Sequence, residues 1–179
     1  MKYPLVWLAS LFILVTVKLA LAAPEDFNFI EGPAWKESDK ALPDYPKDED
    51  LLLLDIDSPS SALKFFIDGT TLALTKDRVV SYTMVIKSDS GAKNVLREGM
   101  RCETNSYKVY AYGGVDSNFQ PAKEPLWQLI TKTGVNAYRN ELNLYYLCDK
   151  GLPLKPSEII EHVKHAQFSH SNPNPYVDN

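Results

Sequence analysis

Between Arg97 and Gly114 the sequence reads REGMRCETNSYKVYAYGG, which crowds two arginines, two glutamates, a lysine and three tyrosines into one short stretch. Two kinds of chemistry are open to it. Arg97, Arg101 and Lys108, interleaved with Tyr110 and Tyr112, form a basic aromatic patch that suits a carboxylate, a phosphate or a glycan. Glu98 offers something different. Held in a cleft with Tyr82 tuning it, its carboxyl could serve as a general acid or base on an envelope polymer.

Both readings depend on how the chain pairs with itself. With Asn105-Ser106 as a two-residue turn, Glu103 faces Lys108, Cys102 faces Val109, Arg101 faces Tyr110 and Gly99 faces Tyr112. Alternation then sends Leu96, Met100, Cys102, Val109 and Ala111 to one face, and Arg97, Arg101, Glu103, Lys108, Tyr110 and Tyr112 to the other. Glu98 falls among the apolar residues. A buried carboxylate is costly without a partner, so it either finds one or is turned outward by a bulge at Gly99. Tyr82, on the apolar side of VVSYTMVIK, is the expected hydroxyl donor.

Other reactive types are sparse. The three histidines, His162, His165 and His170, all fall near the C-terminus, and no G-x-S-x-G elbow, H-E-x-x-H pair or phosphate loop is present. Glu158, Glu161, His162 and His165 share one side of the last expected helix, a spacing that could hold zinc or copper. Two histidines so spaced also arise by chance on any wet helix face, and no metal or cofactor is assigned. Asp55 and Asp57 in LDIDS lack the further ligands and glycine of a calcium loop. The two cysteines, Cys102 and Cys148, have no C-x-x-C spacing and read as one disulfide, which on the chain-entropy argument contributes about 4 kcal/mol.

The elements that must position these residues follow from patterning. MKYPLVWLASLFILVTVKLALA has the charged start, apolar run and small-x-small end of a cleaved secretory signal over residues 1–22. Residues 23–50, rich in proline and acid, read as an extended arm pinned to the domain by Phe27, Phe29, Trp35, Leu42 and Tyr45. An α+β domain spans 51–168, followed by a flexible tail over 169–179. Its expected strands are Leu51–Ile56, Leu63–Ile67, Thr70–Leu74, Val79–Lys87, Val95–Thr104 and Tyr107–Tyr112, with Asp68-Gly69 as a hairpin turn. Leu126–Thr131 reads as a short helix, Asn136–Leu147 as a helix that becomes extended near Cys148, and Pro156–Gln167 as the clearest helix. The formal charge of −4 becomes −6 without Lys2 and Lys18, which argues against nucleic acid as a partner.

The run VVSYTMVIKSDSGAKNVLREGMRCETNSYKVYAYG, together with PAWKES, LPDYP, PLW and YYLCDKG, resembles the cryptic neisserial protein family of small exported bacterial proteins. The resemblance implies a periplasmic address and brings no catalytic residue with it. Ser81 stands where it leads one to expect an arginine, and LALAAP offers no cysteine for a lipid anchor. The expectation is therefore a soluble periplasmic α+β protein, an antiparallel sheet with one or two helices and one disulfide. Its role would be non-catalytic binding of an envelope protein or an anionic or glycan ligand, with no membrane insertion once the signal is removed.

Overall fold

The strands arise where β-branched and aromatic residues alternate or run together. The computed structural model describes residues 34–39, 41–57 and 62–171, with side chains through Ala166. The expected signal, Phe27 and Phe29, and residues 172–179 lie outside the described residues. Strands β1 (Leu51–Leu54), β2 (Leu63–Asp68), β4 (Val80–Ser88), β5 (Lys93–Arg101), β6 (Ser106–Gly113) and β7 (Phe119–Pro121) lie side by side in that order, all antiparallel. Short strands β3 (Ala73–Leu74) and β8 (Gln128–Leu129) add to β4 and β6. The fold class is α+β.

One face of this sheet meets the helices. Val80, Tyr82 and Met84 on β4, opposite Met100, Glu98 and Leu96 on β5, pack toward Leu142, Tyr146, Leu147, Ile159 and Val163. Each fully buried aliphatic side chain among these contributes about 1.5–3 kcal/mol through apolar burial. The last two belong to α2 (Pro156–Ser171), which starts at a proline as expected and extends to Ser171, past the expected end at Gln167. On the opposite face, Ser81, Thr83, Arg97 and Gly99 are also buried: Thr71, in the connection after β2, hydrogen-bonds to Thr83 and Arg97, and the Tyr110 ring covers Gly99. From Trp35 on, the described residues form one compact unit. Among them, no helix is long and apolar enough to cross a membrane.

Five local expectations are corrected. The β5–β6 hairpin turns through Cys102–Asn105, with Asn105 in the left-handed region at φ 47°, and pairs Arg101 with Ser106 and Met100 with Tyr107. Glu103 accordingly pairs with Arg78 instead of Lys108. The register then slips between Arg97 and Glu98, where Tyr110 on β6 is the extra residue, so the bulge is not at Gly99. Asp68-Gly69 is not a hairpin turn. The Asp68 carboxylate accepts hydrogen bonds from Thr70 N, Thr70 Oγ1 and Thr71 Oγ1, which bends the chain away from β2 and leaves only Ala73–Leu74 to pair with β4.

The segment around Trp127 is extended, not helical, because Gln128–Leu129 hydrogen-bond along β6 beyond the reach of β7. From Asn136 to Leu147 the helical expectation holds, with a refinement. After α1 (Tyr138–Glu141) the chain winds more widely as a π-helix over Leu142–Leu147, and becomes extended at β9 (Cys148–Asp149), which pairs with β10 (Leu152–Pro153).

Cys102 and Cys148 form the expected disulfide, pinning the hairpin turn to the end of the π-helix. Cys102→Ser should lower the thermal midpoint by roughly 10 °C, from about 4 kcal/mol of lost constraint. Circular dichroism melts with and without reductant check this. Equal midpoints for the two proteins would contradict it.

Candidate functional site

Glu98 stays on the core face and is fully buried, so its carboxylate must be satisfied from within. Its β4 neighbour Tyr82 donates a hydroxyl to Oε2 at 2.8 Å, as the sequence suggests. Two donors that the sequence reading missed come from α1. Arg139 grips both carboxylate oxygens through Nε and Nη2, and Tyr138 approaches Oε1 at 3.4 Å. The guanidinium lies over the Tyr107 ring at 4.0 Å and the Tyr138 ring at 4.5 Å. Burial and then the Glu98 charge hold both the Tyr82 and Tyr138 phenols well above the usual tyrosine range. Burial alone would lower Arg139, but the Glu98 charge, the Tyr138 phenol and the hydrogen bond to Glu98 together outweigh it and raise the group.

Beside this cluster a half-open groove of about 350 Å3 runs between the outer part of the hairpin and the approach to α1. Tyr107, Tyr112 and Tyr138 give it aromatic walls, and Gln128 and Asn136 give it side-chain amides. Tyr107 donates to Gln128 Oε1 at 2.8 Å, and Arg139 Nη1 donates to Asn136 Oδ1 at 2.7 Å. Arg139 is the charged residue in the lining, and Glu98 neutralises it from behind. Tyr112 is 50% exposed, available to stack on a ligand. It reaches the groove because the Tyr110 bulge inverts alternation along β6, placing Tyr112 opposite Leu96.

The five residues proposed as a basic aromatic patch are thus distributed over two faces. Arg97 is buried, donating through Nη1 to Thr71 O and Thr83 Oγ1, and burial lowers it to about 10. Arg101 stacks on Trp35 at 3.7 Å, while Lys108 and Tyr110 both reach Glu37 of the arm. The Tyr110 ring, instead of Tyr112, covers Gly99, where a Cβ would stand only 2.7 Å from the Tyr110 hydroxyl. Nearby Ser81 Oγ is buried without a hydrogen-bond partner among the described residues.

A second cleft of about 400 Å3 brings Asp55 and Asp57 toward Glu141 and Tyr146. Burial, reinforced by the Asp57 and Asp55 charges, raises the Glu141 carboxyl despite its hydrogen bond from Asp57 N. His162 and His165 are exposed on α2, and among the described residues no three His, Cys, Asp or Glu side chains are placed to hold a metal ion.

The chain belongs to the CNP1-like family, which matches residues 30–164. It is 26% identical over 113 residues to Cryptic neisserial protein 1 of Neisseria gonorrhoeae, a match covering 56% of this chain and 56% of that relative. The chain therefore spans about half the length of the curated relative it matches. No solved structure matches it.

The geometry around Glu98 ranks its neutral donors. Tyr82→Phe should cost about 1.5–3 kcal/mol, the usual range for a hydrogen bond to a charged group, and Tyr138→Phe, with its longer contact, under about 1 kcal/mol. Urea unfolding at constant m-value measures both. Equal costs, or a larger one for Tyr138, would contradict the ranking.

Proposed function

We propose that this member of the CNP1-like family is exported to the periplasm and acts there as a non-catalytic binding protein for a neutral saccharide of the envelope. The observation that carries this reading is the groove of about 350 Å3 at Tyr107, Tyr112 and Tyr138, a volume in the range of small-molecule clefts. Aromatic faces pack against the C–H faces of sugar rings, and side-chain amides both donate and accept to hydroxyls and acetamido groups. With Arg139 neutralised by Glu98, the groove carries little net charge to attract an ionic ligand. The signal-like start and the paired cysteines support an oxidising, exported address.

The geometry favours binding over catalysis. A general acid or base must come within hydrogen-bond reach of the proton it moves. Glu98 is fully buried, has its oxygens engaged by Tyr82, Tyr138 and Arg139, and is not among the residues lining the groove.

Saturation-transfer NMR with chitotriose, and with maltotriose for comparison, tests the groove directly. Wild type should show transfer from at least one sugar, and Tyr112→Ala should weaken binding at least about tenfold, about 1.4 kcal/mol, with an unchanged thermal midpoint. Absence of transfer from both sugars, or full binding by Tyr112→Ala, would refute the proposal.

A further inference from the structure

The opposite face of the sheet, away from the groove, gathers cationic and aromatic side chains around the arm. Three donors from separate positions converge there on one carboxylate. Lys108 Nζ and Trp127 Nε1 donate to Glu37 Oε2 at 2.8 and 3.3 Å, and Tyr110 donates to Oε1 at 2.8 Å. Two residues earlier, the Trp35 ring meets Trp127 edge-on at 5.9 Å and receives the Arg101 guanidinium on its face at 3.7 Å. The segment is fixed further by Trp35 Nε1 donating to Asp77 O and by Ser38 N donating to the Asp77 carboxylate.

We propose that Arg101, Lys108, Tyr110 and Trp127 form a receptor for an extended peptide that presents an aromatic ring two residues before a glutamate, and that the chain's own Trp35-Lys36-Glu37 occupies it in cis. The aromatic-x-Glu spacing matches the receptor, because in an extended chain residues two apart project to the same side. The ion pair is partly desolvated, with Lys108 13% and Glu37 25% exposed, so the carboxylate is held more firmly than by an open surface pair. Burial opposes the ionised form of Glu37, yet the hydrogen bonds from Lys108, Tyr110 and Trp127 outweigh it and hold the group below the usual carboxylate range. The occupant has no helix or strand of its own over residues 34–39, and its ring remains 38% exposed, so an exported partner with the same spacing can compete for the site.

A tethered occupant competes at high effective concentration, which gives the site a distinctive signature. The test is fluorescence anisotropy with a labelled peptide of residues 33–40, PAWKESDK, added to the full chain. A Trp35→Ala, Glu37→Ala variant, its receptor vacated, should bind the peptide saturably and at least tenfold more tightly than wild type does. A peptide carrying Glu37→Gln should bind that variant at least tenfold more weakly. Should the double variant unfold, Glu37→Gln alone, which frees Lys108 and Tyr110 of the arm's carboxylate, takes its place, with the same expected order. Failure of the folded vacated protein to bind, or equal binding of the Glu and Gln peptides, would overturn the proposal and leave the arm as packing alone.

Discussion

The buried carboxylate of Glu98 sets the terms for everything packed on the helical face of the sheet. Its position in the middle of β5 takes it out of water, and only a set of donors brought from elsewhere offsets that cost. Tyr82 comes from the neighbouring strand, but Arg139 and Tyr138 belong to α1, so satisfying the charge fixes α1 against the sheet. Once α1 is fixed, Asn136 and Tyr138 stand beside Tyr107 and Tyr112, and the groove exists. The π-helix and the disulfide continue the same constraint toward Leu147 and Cys148, closing the core over Met100.

The bulge at Tyr110 divides the lysine and tyrosines of β6 between two faces. Before it, Lys108 and Tyr110 point to the arm; beyond it, Tyr112 points into the groove. One strand thereby lines a largely neutral aromatic cleft on one side and holds the Glu37 carboxylate of the arm on the other. The arm is part of the domain's surface, with Trp35 and Glu37 locking over side chains that would otherwise form an open cationic face.

Much of this was legible in the residues. Alternation placed Glu98 among Leu96 and Met100 and pointed to Tyr82 as its partner, because those relations depend only on parity and on the neighbouring strand. Arg139 was hidden, since the helical reading of 136–147 carries no signal about which side chain meets a charge in a strand some forty residues earlier. The hairpin register was missed for a related reason. Asn105-Ser106 has acceptable turn chemistry, but Cys102 is committed to Cys148, and the turn forms around it. A shift by an even number of residues preserved the faces of Arg101 and Lys108, whereas the bulge reversed Tyr112, and no residue type in KVYAYG announces it. Of the expected anchors among the described residues, Trp35 and Tyr45 meet the domain through their rings, whereas Leu42 stays exposed. The arm's role as the occupant of the basic patch was not legible, because that pairing of Glu37 with Lys108 spans most of the domain.

The claim that Glu98 and Arg139 act as one strut is tested most directly by a double-mutant cycle with Glu98→Gln and Arg139→Met, read by urea unfolding. The account predicts that each single change is severely destabilising, about 3–5 kcal/mol, and that the pair together costs less than the sum by at least about 2 kcal/mol. A coupling below about 0.5 kcal/mol would mean that the two side chains are held independently, and that the groove beside them owes its shape to something else.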